Sequence, residues 1–145
     1  MKFLIVNGPN INMLGIREPD IYGTLTYEGL LEYLKGEAAR LGCEVEFFQS
    51  NSEGELVTAI KKALGRVDGI VINPAAYTHT SVAILDALKA VSLPAVEVHL
   101  SDVDHREEFR RHSFVSSACI ATIKGKHFAG YLEAIDLLEK HLAQK

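Results

Sequence analysis

The chain alternates between compact apolar runs and segments whose apolar residues recur at helical spacing. Lys2–Asn7 is an apolar run that stops at Gly8-Pro9, which predicts a buried first strand. Tyr27, Leu30, Leu31, Leu34, Ala38 and Leu41 then follow a helical period, and Gly42 supplies the stop. Glu44–Gln49 reads as a second strand. Ser52-Glu53-Gly54-Glu55 matches a capping box, with Ser52 as cap and Glu55 reaching back. The helix after it should carry Leu56, Ile60, Ala63 and Leu64 on one face. Gly69–Asn73 is a third strand closed by Pro74. Residues 81–90 read as the next helix, with Thr80 as its cap and Val82, Leu85 and Leu88 in line. Residues 95–100 and 118–124 complete the strands, and a last helix carries Tyr131, Ile135, Leu138 and Leu142.

Strands separated by helices imply a parallel sheet covered on both faces. No repeat, low-complexity tract or linker composition interrupts the pattern, so residues 1–145 are expected to form one domain. At this length the expected architecture is α/β: a flavodoxin-like three-layer sandwich with a five-stranded parallel sheet in the order 2-1-3-4-5. Such sheets bind ligands beyond the strand C-termini, where the first and third strands diverge. That rule directs attention to the segments after Asn7, after Asn73 and around Leu100.

Composition narrows the classes. Hydrophobic residues at 48% and charged residues at 23% are globular values, with no disordered signature. A net charge of −4 argues against a nucleic-acid binder, which would carry a basic patch. The apolar run at residues 3–6 is too short for a signal-peptide core. No other stretch approaches the ~20 apolar residues of a membrane span. Cys43 and Cys119 fall in stretches that read as strands, without metal-ligand spacing, and are expected to be small core residues in a reduced, cytoplasmic protein.

The first of the three segments, residues 8–23, is long for a strand-to-helix connection, which usually takes ~2–6 residues, and it carries Arg17 and Tyr22. The second, Asn73-Pro74-Ala75-Ala76-Tyr77-Thr78-His79-Thr80-Ser81, puts His79 just before a helix. In the third, strand periodicity sets Glu97, His99 and Ser101 on one face. A buried carboxylate two residues before a histidine is costly unless the two pair. A glutamate accepting from one imidazole nitrogen fixes the tautomer and prepares the histidine for acid or base work.

Taken together, Asn7-Gly8-Pro9-Asn10, Gly15-Ile16-Arg17-Glu18-Pro19 through Tyr22-Gly23, Gln49-Ser50-Asn51, the Asn73–Ser81 segment, Glu97-Val98-His99-Leu100-Ser101 and Arg106-Glu107-Glu108-Phe109-Arg110 resemble the type II 3-dehydroquinate dehydratases, in that family's order and spacing. The resemblance implies an anti elimination of water from 3-dehydroquinate through an enolate, giving 3-dehydroshikimate. The same dehydration serves quinate breakdown and the shikimate pathway of aromatic amino acid biosynthesis, the family's more frequent role. It implies Tyr22 as base, Arg17 as its activator, Asn10 as holder of a water against the enolate oxygen, and His99, oriented by Glu97, as acid. Asn73 and the backbone N–H groups of Leu100 and Ser101 would hold the substrate carboxylate. His79 and Arg110 would read the ring hydroxyls, and Arg106 resembles a second family arginine near the lid that carries Arg17. Asp86 would serve a neighbouring subunit's site in a dodecamer built as a tetramer of trimers. No metal or other cofactor is implied, and the partner is the small-molecule substrate, with neither nucleic acid nor membrane.

The chemistry asks much of Tyr22. A tyrosine with an ordinary pKa near ~10 is only about 0.1% ionised at neutral pH, and half-ionisation there needs about 4 kcal/mol of differential stabilisation. A guanidinium, which never gives up its proton, can supply part of that. Asp102 stands where the family commonly has Asn and would place a charge beside the carboxylate pocket. Asp102, Asp104 and His105 are ligand types that a metal cluster would use, but no metal site is expected there.

Two rival readings share the fold. A flavin- or nucleotide-binding module would need a phosphate-cradling loop after the first strand, and neither GxxxxGK[ST] nor GxGxxG is present. A signalling receiver would need an aspartate at the end of the third strand, where Asn73 stands.

Overall fold

The computed structural model describes residues 1–16 and 25–144. The expected strands form β1 (Lys2–Asn7), β2 (Glu44–Gln49), β3 (Gly69–Asn73), β4 (Ala95–His99) and β5 (Ala121–Lys124). They make one five-stranded sheet, parallel throughout, in the expected order β2-β1-β3-β4-β5. The helices are α1 (Tyr27–Leu41), α2 (Glu53–Ala63), α3 (Val82–Val91) and α4 (Phe128–Ala143), with short 3-10 turns between them.

Strand alternation divides the core in two. Phe3, Ile5, Val71, Val96 and Val98 face Leu30, Leu34 and Ala38 of α1 and Tyr131, Ile135 and Leu138 of α4. Leu4, Val6, Ile70, Ile72 and Ala95 face Leu56 and Ile60 of α2 and Ile84 and Leu88 of α3. The flavodoxin-like sandwich is therefore the observed architecture. No helix among the described residues is long and apolar enough to cross a membrane.

Several local expectations are corrected. In α3 the buried line is Ile84, Leu88 and Val91, while Val82 is 49% exposed. The cap of α3 is Ser81, whose Oγ accepts from the Ile84 N–H at 2.9 Å; Thr80 instead ends the preceding 3-10 turn. Ser52 caps α2 as expected, but Glu55 does not reach back to it. Its carboxylate accepts from the Ser50 hydroxyl at 2.6 Å, and Ser50 Oγ accepts from the Ser52 N–H. Leu64 lies past the end of α2 and is exposed. Neither cysteine is in a strand: buried Cys43 precedes β2, and half-buried Cys119 follows the turn Val115–Ala118, so β5 starts three residues later than expected.

Candidate active site

β1 and β3 are neighbours in register, with Asn7 opposite Asn73, and the chain leaves them in opposite directions across the sheet. The crevice of the switch point opens beyond these two residues. Gly8 ties the two strand ends together. The Gly8 N–H donates to the Asn73 carbonyl at 2.8 Å, and a Cβ on Gly8 would lie 2.4 Å from the Pro74 carbonyl oxygen. Only glycine permits that approach.

Asn10 then turns into the left-handed region at φ 68°, which asparagine tolerates. Its backbone N–H donates to Asn51 Oδ1 at 3.1 Å. Gln49 Nε2 donates to the Gly8 carbonyl at 3.1 Å, and the Tyr77 hydroxyl to the Asn51 carbonyl at 2.7 Å. The Gln49-Ser50-Asn51 motif thus shapes the loop that presents Asn10.

One cleft is lined by Asn10, Asn73, His79, His99, Leu100, Ser101, Arg106 and Arg110. Eight positions singled out from the sequence therefore converge. Glu97 lies beneath them, fully buried, with His99 Nε2 bonded to its Oε2. Thr78 Oγ1 donates to Glu97 Oε2 at 2.8 Å, and Ser113 Oγ donates to Oε1 at 3.0 Å. Burial pushes the carboxyl pKa up, but His99 and the two hydroxyls outweigh burial and hold Glu97 below the usual carboxylate range. With Nε2 tied to Glu97, the other ring nitrogen of His99 is the one left for a ligand.

His79 is fixed differently. Its Nδ1 sits 2.7 Å from the His112 carbonyl, which can only accept, so Nδ1 carries the proton and Nε2 is an acceptor. Burial pushes this imidazole below the ordinary histidine range, more than the His112 bond raises it, and His99 and Arg110 add to the push. Arg110 is braced by Glu107, its Nε donating at 2.6 Å, and its guanidinium lies over Phe109. The cleft is thus furnished for an oxygen-rich ligand: guanidinium cations, amides and two imidazoles in defined tautomers, with Ile11, Leu100 and Val103 as apolar lining.

Arg17 and Tyr22 lie outside the described residues. Asp86 is exposed on α3 and does not line the cleft of its own chain. Asp102 does not line it either; its Oδ1 accepts from the Asp104 N–H and its Oδ2 faces His105 at 3.2 Å, while Asp104 pairs with Lys124. The charge expected beside the carboxylate pocket is therefore turned aside. Thr78 and Ser113 were not legible as partners of Glu97, because Ser113 is brought there from 16 residues downstream by tertiary contact alone.

Over residues 1–139 the sequence matches a family model described as Dehydroquinase class II. The chain belongs to this family. A 3-dehydroquinate dehydratase of Clostridium acetobutylicum is 52% identical over 99% of this chain and 100% of its own length. One from Corynebacterium glutamicum is 55% identical over 94% of each chain. Among solved structures, a type II dehydroquinase from Butyrivibrio crossotus superposes with a TM-score of 0.94 at 48% identity, covering 96% of this chain and 97% of that one. In this class II dehydroquinase the flavin- or nucleotide-binding alternative is not favoured, since these dehydratases match along nearly the whole chain and the crevice presents imidazole, amide and guanidinium groups.

Proposed function

We propose that this class II dehydroquinase is a 3-dehydroquinate dehydratase, a hydro-lyase of aromatic amino acid biosynthesis, acting as one catalytic domain in the cytoplasm. The observation that carries the reading is the convergence of Asn10, Asn73, His79, His99, Leu100, Ser101 and Arg110 on one cleft at the switch point, above a buried Glu97.

Tyr22, activated by Arg17, takes the C2 proton of 3-dehydroquinate. The electron pair of that C–H bond moves into the ketone, and Asn10 holds a water against the enolate oxygen. Preorganised donors at such an oxygen are worth about 3–4 kcal/mol in typical oxyanion sites. The enolate then collapses and expels the C1 hydroxyl, which His99 protonates so that it leaves as water. Glu97 stabilises the His99 imidazolium before that transfer and keeps the ring in place. Asn73 and the N–H groups of Leu100 and Ser101 bind the carboxylate. The Nε2 of His79 accepts from a ring hydroxyl, Arg110 reads another, and Arg106 lines the same cleft. The route calls for no metal or organic cofactor, because the substrate's own ketone acidifies the C2 proton. The chain assembles as a dodecamer, a tetramer of trimers, in which Asp86 supports a neighbour's site.

The test is to add 3-dehydroquinate to chelator-treated protein and follow the conjugated enone by absorbance. Product should form, the enzyme should keep its activity after borohydride treatment with substrate, and turnover should be lost nearly completely in Tyr22→Phe and His99→Ala. Tyr22→Phe should bind substrate almost normally, since its hydroxyl acts mainly in the transition state. No enone overturns the activity; substantial turnover by Tyr22→Phe overturns the choice of base.

A further inference from the structure

The apolar face of α4 carries a hydroxyl that packing alone does not require. Tyr131 is fully buried among Ile135, Leu138 and the sheet residues, where phenylalanine would fill nearly the same volume. Its hydroxyl donates to Asn7 Oδ1 at 2.6 Å and accepts from Asn73 Nδ2 at 2.9 Å. A side-chain chain of this kind, buried at the ends of two central strands, is costly unless it does something that apolar packing cannot. Asn7 even leaves its Nδ2 without a hydrogen bond of good geometry among the described residues.

Proton inventory gives the chain a direction. Burial pushes the Tyr131 phenol far above its ordinary value, so the group stays neutral with one proton to donate. Asn7 Oδ1 can only accept and receives that proton, so Tyr131 must accept from Asn73. On its other side, Asn73 Oδ1 accepts from the Ala75 N–H at 3.1 Å. A flipped Asn73 amide would set its NH₂ against the Ala75 N–H and its oxygen against a hydroxyl already donating elsewhere. The orientation is therefore locked. One of the two Asn73 amide protons goes to Tyr131, and the second is left for the cleft that Asn73 lines beside Leu100 and Ser101.

We propose that Tyr131 is a positioning residue for substrate binding, holding the Asn73 carboxamide so that its second N–H meets the substrate carboxylate. The inference rests on the reading of Asn73 as a carboxylate ligand. It extends the site to a residue on the helix after the last strand, some distance in sequence from every segment around the cleft.

The experiment is a double-mutant cycle on KM and kcat with Tyr131→Phe, Asn73→Ala and the pair, alongside thermal unfolding of each. Tyr131→Phe should raise KM about fivefold to tenfold with kcat little changed, the size of one mis-set hydrogen bond. In the Asn73→Ala background the same change should leave KM where it is. A purely structural tyrosine would instead lower stability and shift KM equally in both backgrounds, or leave KM untouched, and either result overturns the proposal. If Asn73→Ala itself does not raise KM, the carboxylate reading falls and the inference with it; if it does and Tyr131→Phe does not, the inference alone falls. Should Tyr131→Phe fail to fold, Asn7→Ala breaks the same chain from its other end and enters the same cycle with the same expectation.

Discussion

Glu97 carries its charge at a position with no solvent exposure, and the groups around it decide whether it can. Three side chains donate to it, from β4 itself, from the turn after β3 and from the segment before β5. Because the folded state holds this carboxyl below its ordinary value, the unfolded chain binds the proton more readily in acid. The contribution is therefore complete above the unfolded carboxyl value of ~4.3 and is lost as pH falls through the lower folded value. Glu97→Gln should cost about 2 kcal/mol at neutral pH and flatten the acid limb of stability below about pH 4. Urea unfolding over a pH series checks both, and an acid limb as steep as that of the wild type would locate the acid sensitivity elsewhere.

Elements matter here chiefly through where they end. β1 and β3 stop opposite one another at Asn7 and Asn73, and the connection after β1 passes over the Pro74 carbonyl with no room for a side chain at Gly8. The obstruction is backbone, so no rotamer change relieves it. Gly8→Ala should destabilise by about 1–3 kcal/mol, as overpacking does, and impair turnover more than its stability loss explains, because the loop that presents Asn10 starts there. Denaturant titration together with kcat/KM tests this; wild-type values in both would show that the strand ends separate freely. Element limits were also where sequence reasoning was weakest. Ser81 displaces Thr80 as cap and Ser50 captures Glu55 from the expected capping box, because a neighbouring hydroxyl of equal chemistry is decided by backbone geometry rather than by residue type.

At the scale of the whole molecule, α3 turns Val82 and Asp86 outward, on a helix whose other face is packed against the sheet. Closed trimers would cover that outer face and bring Asp86 to an adjoining cleft, since a rotation axis repeats the same contact around the ring. Mixing Asp86→Ala chains with Tyr22→Phe chains after dissociation should restore activity above that of either variant reassembled alone. Mixed particles of verified mass that show no recovery would confine each site to one chain, and a monomer in solution would end the assembly proposal.

Apolar period alone determined the alternation of strands and helices, and with length it implied the sheet order, because burial on both faces leaves a parallel sheet few arrangements. The segments in which to look for a site were equally legible, since that topology places a ligand beyond the strand ends, while the roles of single residues there came from the family resemblance. Other features needed the folded chain. Thr78 and Ser113 meet Glu97, Asn51 meets the backbone of Asn10, and Tyr131 meets Asn73 across 58 positions of sequence. Hydrogen-bond partners so far apart leave no local pattern: a tyrosine on an apolar helix face reads as packing until the fold sets its hydroxyl between two asparagines. Tertiary structure thus decided which polar groups act together, because only a closed core brings them within bonding distance while excluding the water that would otherwise satisfy each one separately.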